Sequence, residues 1–239
     1  MGTRDGRITM FAEKKVEEKS FMKREIDWKE ISDGKLYGLN DMVKADCGDC
    51  EGCWACCQGM GQSVILDPLD CFRLTENLKC TMEALLAHKL ELNVVDGIVL
   101  PNLIMGGKEE RCGFLDHEGR CGIHSFRPGV CRLFPLGRIY GDHGFQYFLQ
   151  VNECRKENRT KVKVYKWLDT PEVKRYEKYV SDWHFFLKRL EGKLEENRDQ
   201  AYANKVSMYV LKQFYLTPYD GEQDFYDQFG KRLEASSFL

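Results

Sequence analysis

The longest regular pattern of apolar positions lies in the C-terminal third of the chain. Val173, Tyr176, Val180, Trp183, Leu187, Leu190 and Leu194 recur three and four residues apart. That spacing lines them up on one stripe of an amphipathic helix. Thr170 and Pro171 ahead of it predict an N-cap followed by the first helical residue. A second helix is expected over about residues 200–215, with Val206, Val210 and Phe214 on one side. Pro218 and Asp220-Gly221 break it, and Phe225, Phe229 and Leu233 predict a last short helix. These helices form a layer that needs an apolar surface to cover.

Upstream the pattern is shorter and changes period. Ser63–Leu66 reads as a brief strand. Asp67-Pro68 predicts an N-cap and a proline at the first helical position, opening a helix that carries Leu69, Phe72 and Leu74. Another helix follows Thr81, with Met82, Leu85, Leu86 and Leu90. The apolar runs Leu92–Val95 and Ile98–Leu100 flank Asp96-Gly97, a strong hairpin signal. Arg138–Tyr140 and Phe145–Leu149 predict a second hairpin through Gly-Asp-His-Gly. Glu118-Gly119 turns the chain between Cys112 and Cys121, so that their thiols meet across a small ribbon. Lys161, Lys163 and Lys166 alternate with Val162, Val164 and Trp167, as in a half-exposed strand. Residues 1–45 are charge-rich with scattered Phe11, Val16, Phe21, Ile26, Trp28 and Ile31. The pair Trp28 and Ile31 suggests a docked helical turn, and about the first ten residues are expected to be disordered.

The resulting expectation is an α+β fold. A charged N-terminal extension (1–45) leads into a small cysteine-rich metal-binding domain of short hairpins and helices (46–160). A helical C-terminal region (161–239) packs on it. With 239 residues the chain can bury a real core, so cysteines are not needed as staples. The net charge of −2 argues against a nucleic-acid partner, even for the lysine stripe at 161–166. No run is long and apolar enough to span a membrane, and the N-terminus shows no signal-peptide core. Met1-Gly2 begins like a myristoylation signal, but Gly6 stands where Ser or Thr is needed. The expected setting is the cytoplasm, where thiols stay reduced.

That setting gives the 11 cysteines their meaning. Cys47, Cys50, Cys53, Cys56 and Cys57 fall within eleven residues, in three overlapping Cys-x-x-Cys pairs and a Cys-Cys doublet. A two-residue gap lets both sulfurs turn toward one ion. In a reducing compartment such density points to metal rather than disulfides. Cys112, Cys121, Cys131 and Cys154 form a second group. Cys71 and Cys80 lie among helical apolar positions and read as packed free thiols. Cys47 is a spare ligand, a redox thiol or neither. Of the histidines, His117 and His124 flank the second block as candidate ligands, set against readings as a turn residue and an exposed polar residue, and His184 reads as packed or partly exposed on the long helix.

Cys50-x-x-Cys53-x-x-Cys56-Cys57 resembles the CxxCxxCC signature of the YkgJ-type cysteine-cluster proteins, described as zinc- or iron-chelating. Cys112-Gly-Phe-Leu-Asp with Gly119-Arg-Cys121 is similar to the family's second block, with Gly113 replacing the usual proline. Arg127-Pro128-x-x-Cys131-Arg132-x-Phe134-Pro135 resembles its third, and Asp70-x-x-Arg73-Leu74 its Asp-x-x-Arg-Leu helix. Cys154 corresponds loosely, because Arg155-Lys156 follows it where the family has Pro-Gly. The resemblance spans about residues 47–154. Eight cysteines fall in the matching blocks: Cys50, Cys53, Cys56, Cys57, Cys112, Cys121, Cys131 and Cys154. Zinc takes four thiolates in a closed site, and a [4Fe–4S] cluster also takes four, so eight would serve two centres of either kind. Adjacent side chains point apart, which favours separate centres for Cys56 and Cys57. Arg111, Arg120, Arg127 and Arg132 flank these cysteines and could offset the negative charge. Glycines 48, 52, 113, 119, 122 and 129 could let backbone N–H groups approach sulfur.

Three functions follow as expectations. The first is an iron–sulfur protein with a redox or accessory role. The second is a structural-zinc protein acting as an interaction module for another protein. The third is a protein-modifying enzyme similar to flagellin lysine N-methylase, which carries a similar cysteine cluster. No radical-SAM spacing (Cys-x3-Cys-x2-Cys) and no Cys-x-x-Cys in a βαβ setting is present.

Overall fold

The computed structural model describes residues 28–48 and 50–239. The expectations for residues 1–27, including Phe11, Val16, Phe21 and Ile26, lie outside the described residues. The chain runs α1 (Trp28–Ile31), β1 (Met42–Asp46), α2 (Pro68–Leu78), α3 (Met82–His88), β2 (Leu90–Val95) and β3 (Ile98–Leu103). Then come β4 (Met105–Gly106), β5 (Arg111–Cys112), α4 (Gly129–Leu133), β6 (Leu136–Gly141) and β7 (Gly144–Leu149). The last third holds β8 (Thr160–Lys163), α5 (Val164–Leu168), α6 (Val173–Glu196), α7 (Gln200–Leu211) and α8 (Phe225–Ala235). Every sheet is a two-stranded antiparallel ribbon: β1–β8, β2–β3, β4–β5 and β6–β7. This is the α+β architecture of short hairpins and helices that the pattern predicts.

Local signals place most of these elements. Asp67 and Asp70 close a capping box at the start of α2, with Pro68 in its first turn. Thr81 caps α3 through a bond from the Ala84 N–H. Asp96-Gly97 closes the β2–β3 hairpin, with both residues at positive φ. The Ser63–Leu66 segment is extended but stays short of a strand. It hydrogen-bonds β3 through the Val64 carbonyl and the Leu66 N–H, with one bridge at Ile65.

Three expectations need correction. The alternation at 161–167 is strand only through Lys163; Val164–Leu168 is helical. Val164, Trp167 and Leu168 are all buried, a three-and-four spacing that the lysines disguise as period two. The long helix begins at Val173 rather than Pro171. Thr170 Oγ1 bonds back to the Leu168 carbonyl and Glu172 is left-handed, so neither residue joins the helix. Finally, α7 ends at Leu211 and passes into a wider π turn over Lys212–Leu216, which rotates Phe214 and Tyr215 inward as buried side chains.

Two apolar clusters result. The larger joins α2, α3 and the β2–β3 hairpin to α6, α7 and α8, around Trp183, Phe186, Leu190, Phe214 and Phe229. The smaller holds Tyr37, Val43, Ala45, Leu136, Tyr147, Val164 and Trp167. Tail tyrosines also tie down the entry to α2. The Tyr215 hydroxyl donates to the Leu66 carbonyl at 3.0 Å, and the Leu69 N–H donates to the Tyr179 hydroxyl at 3.0 Å. Between the clusters, Arg138 of β6 donates to the Tyr176 hydroxyl of α6 at 3.0 Å and lies over the Phe145 ring.

His184 of α6 stacks on Tyr140 with ring centroids 3.5 Å apart. Burial, together with Lys188 and Arg138, lowers its pKa to about 4. The folded protein therefore holds this imidazole neutral, while the unfolded chain takes up a proton near the ordinary value of about 6.5. The resulting stability is intact above that value and is lost as pH falls toward about 4. His184→Phe keeps the stacked ring and removes the titration. The melting temperature of the variant is expected to fall less than that of wild type between pH 6.5 and pH 4; parallel curves would refute this coupling.

Candidate metal centre

The first cysteine block is a chain of tight turns. Gly48 adopts φ +67° and reverses the chain after Cys47. Bonds from the Glu51 N–H to the Gly48 carbonyl, the Cys53 N–H to the Cys50 carbonyl and the Cys57 N–H to the Trp54 carbonyl then wind it inward. Cys50 itself holds φ 57°, a left-handed conformation a side chain tolerates poorly and which is met most often at functional sites. Ala55–Cys57 closes the block as a single 3-10 turn.

The second block folds onto the first. Leu115 bridges Cys121, and the Gly122 N–H reaches the Phe114 carbonyl, so Cys112 and Cys121 sit on one small ribbon as their spacing predicts. Trp54 lies flat over the turn at Gly119. A Cβ there would come within 2.7 Å of the indole, so only glycine permits this contact. Arg120 Nη1 donates to the Cys50 carbonyl at 3.4 Å, a further link between blocks.

Two adjoining cavities receive the thiols. Cys50, Cys53, Cys56, Cys57, Cys112, Cys121 and Cys131 all line the first, of about 100 Å³. Its other walls are mainly apolar, with Met60, Val64, Leu103, Leu115, Ile123 and Trp167 among them. The second cavity, of about 20 Å³, is lined by Cys154 and Cys47 together with Cys50, Cys53 and Cys56. Cys57 borders only the first and Cys56 borders both. Cys47 Sγ stands 3.7 Å from Cys50 Sγ. Among the described residues, no three Cys, His, Asp or Glu side chains already stand as a closed ligand set. Cys71 and Cys80 stay apart, on the wall of a different cavity beside Tyr215.

Burial pushes the Cys112, Cys121, Cys131 and Cys154 thiols above their ordinary pKa. Cys50 rises to about 12, through burial and then the neighbouring Cys47. Cys57 is raised by its contact with Cys56 and by burial. Cys56 alone falls, to about 7, because it accepts a hydrogen bond from Cys57, with Arg127 assisting against burial.

The surrounding cations match a net negative centre. Arg120 and Arg127 line the first cavity, as the expectation of charge compensation requires. Arg127 Nε is buried with no hydrogen-bond partner, and so are Arg159 Nε and Nη1, whose charge acts on Cys154. Buried N–H groups of this kind call for an anion, which a metal bound by four thiolates supplies. The donor set therefore fits zinc or iron. Arg132 departs from the expectation: it is buried and donates to the carbonyls of Ser125, Arg127 and Asp169, clamping the loop from the ribbon to α4. His124 departs too. It is half-buried in the wall of the first cavity, against Arg127, rather than an exposed polar residue. His117 is exposed on its turn.

Sequence reasoning missed what aims Cys131. That residue sits in α4, and the Gly129 N–H at the start of α4 donates to Asp70 Oδ1 at 2.7 Å. Asp70 Oδ2 accepts from the Asp67 N–H at 3.2 Å, so one buried carboxyl joins the caps of two helices. Burial and Asp67 push its pKa up to about 8. Gly129 is required here, since a Cβ would stand 2.4 Å from the Tyr176 hydroxyl. The Asp-x-x-Arg-Leu match at Asp70 was the available signal. Asp70→Ala leaves two buried N–H donors unpaired, at roughly 1–3 kcal/mol each. The variant is expected to unfold at lower denaturant with an unchanged slope; an unmoved midpoint would show that Asp70 does not hold α4.

No curated protein and no solved structure matches this chain. A family match does exist, over residues 49–169, to the family titled "CxxCxxCC: Putative zinc- or iron-chelating domain". It takes in both cysteine blocks, Asp70, α4 and Cys154, and it begins two residues after Cys47. With half of its length matched and the thiols gathered on shared cavities, the chain belongs to the CxxCxxCC zinc- or iron-chelating family.

Proposed function

We propose that this protein carries two metal centres, one in each thiol-lined cavity, with an iron–sulfur centre in the larger. The observation that carries this is the convergence of seven cysteines, from Cys50 to Cys131, on one mainly apolar cavity. Cys57, Cys112, Cys121 and Cys131 border that cavity and not its neighbour, which makes one four-thiolate set. Cys56 borders both cavities and shares the second with Cys50, Cys53 and Cys154. The doublet is then divided between centres, with Cys57 in the first and Cys56, which borders both cavities, in the second. A cavity of about 100 Å³ has room for several waters, so a single ion would leave much of it unfilled. A cluster of several atoms fills it better. The apolar walls and the guanidinium of Arg127 would set its potential, since burial and hydrogen bonding tune iron–sulfur centres. The role that follows is electron transfer or support of a partner redox enzyme.

Structural zinc is the second reading, and one distance favours it. Four sulfurs at about 2.3 Å from one ion stand about 3.8 Å from each other in a tetrahedron. Cys47 and Cys50 lie 3.7 Å apart. The second centre thus suits a single ion, zinc or iron. The colour and elemental content of anaerobically purified protein separate the readings. Brown protein with iron and acid-labile sulfide supports a cluster in the first cavity. Colourless protein with two equivalents of zinc supports the structural alternative, and absence of both metals refutes the two-centre proposal.

On either reading, thiols far apart in sequence converge on the metal, so binding free energy becomes folding free energy. Stripping the metal with a strong chelator is expected to lower the unfolding temperature by well over 10 °C, which calorimetry would detect. An unchanged melt after verified removal would be inconsistent with this.

Substitution of the doublet tests the assignment of thiols. Cys57→Ser is expected to remove the first centre and leave the second, while Cys56→Ser does the reverse. Cys71→Ser is the control: it should retain all metal and cost roughly 1–3 kcal/mol from a buried hydroxyl. Metal analysis of the three variants decides, and loss of the same metal from Cys56→Ser and Cys57→Ser would refute the split.

A further inference from the structure

We infer that Cys47, which lies outside the segment matched by the family, is a ligand of the second centre. This rests on the two-centre reading above. The set the geometry points to is Cys47, Cys50, Cys56 and Cys154.

Strand pairing explains how Cys47 gets there. β1 ends at Asp46 and pairs antiparallel with β8, Asp46 opposite Thr160. The residue after β1 and the residues before β8 therefore emerge at the same end of the ribbon. Thr160 Oγ1 donates to Asp46 Oδ2 at 3.1 Å and locks that end. The Lys156 ammonium donates to the Glu51 carbonyl at 2.8 Å, which ties the Cys154 segment to the loop between Cys50 and Cys53. With these two clamps in place, Cys47 and Cys154 line the second cavity from positions 107 residues apart.

Three further observations converge. The Cys47–Cys50 sulfur separation of 3.7 Å is already the edge of a tetrathiolate tetrahedron, about 3.8 Å. Cys47, Cys50, Cys56 and Cys154 all line the second cavity. Arg159 presents two buried, unpartnered N–H groups beside Cys154. A divalent ion with four thiolates carries net charge −2 and offers them an acceptor. A cavity of about 20 Å³ has space for one water-sized body, which is one ion and not a cubane. On binding, each thiol gives its proton to solvent, and no redox step is involved. Cys53 borders both cavities and is not needed to complete this set.

The test uses the full chain purified anaerobically with its metal. Metal per chain is measured for wild type and Cys47→Ser. Cysteine alkylation by iodoacetamide is mapped by mass spectrometry on the native, metal-loaded wild type. Cys80, half-buried like Cys47 and remote from both cavities, is the internal reference. Cys47→Ser is expected to lose about one metal equivalent per chain, the single ion of the second centre, while the first centre is retained. Cys47 of wild type is expected to react at least about tenfold more slowly than Cys80, because the thiolate bound to metal is withdrawn from attack. Full metal content in Cys47→Ser, or alkylation of Cys47 at the rate of Cys80, would overturn the assignment and leave the two-centre reading standing. Wild type without metal would overturn both. If Cys47→Ser does not fold, the alkylation of wild type decides alone.

Discussion

Nine cysteines share two adjoining cavities, and the rest of the structure answers to the charge they must carry. A thiol binds metal only as a thiolate, yet burial and mutual repulsion hold Cys50, Cys57, Cys112, Cys121, Cys131 and Cys154 toward the neutral form. A cation between them reverses both effects at once. The protein prepares for the residual negative charge with Arg120 and Arg127 on one side and Arg159 on the other. It keeps carboxylates out of the walls of the first cavity. Asp70, the acid nearest Cys131, is spent on backbone N–H groups.

The helical tail supplies rigidity that the cysteine segment lacks. Loops with tight turns and few apolar side chains cannot hold seven thiols in place by themselves. The route of support is short. Trp183, Phe214 and Phe229 pack under α2, and Tyr179 and Tyr215 fix the chain entering it. The carboxyl of Asp70 passes that position to α4 and hence to Cys131. Arg132 holds the other flank of α4 through three carbonyls. Cys131 is thus anchored to a core built mostly from residues more than forty positions downstream.

What the sequence makes legible here is what depends on neighbours along the chain. The capping box at Asp67, the Asp96-Gly97 turn and the apolar stripe of α6 are short-range physics, and each is found where it reads. The clustering of thiols was legible from spacing alone. What escaped depends on partners far away. β1 carries only two inward residues, Val43 and Ala45, too few to signal a strand without β8 opposite. The lysines at 161–166 imitate strand alternation because their helical turn is buried on one side only. Nothing next to Cys47 in sequence tells a ligand from a spare thiol, since the wall it shares with Cys50, Cys53 and Cys56 is completed by residues 153–156.

The doublet then has a consequence beyond ligand counting. Cys56 and Cys57 belong to one 3-10 turn, so the two proposed centres would share a backbone segment of three residues. A metal that fixes Cys57 against Cys112 and Cys131 also fixes the peptide that aims Cys56 into the second cavity. The entropy of ordering that turn is lost once, on the first binding event, and a few ordered residues correspond to several kcal/mol. On the two-centre proposal the second metal would meet a site already in place, and the two centres would load cooperatively without touching. The same sharing would place their charges close together; Arg127 acts on Cys56 of the doublet and Arg159 on Cys154, and both would offset the repulsion. Tight coupling through the chain and compensation through separate cations are two sides of one arrangement, and it requires the cysteines of the doublet to be adjacent.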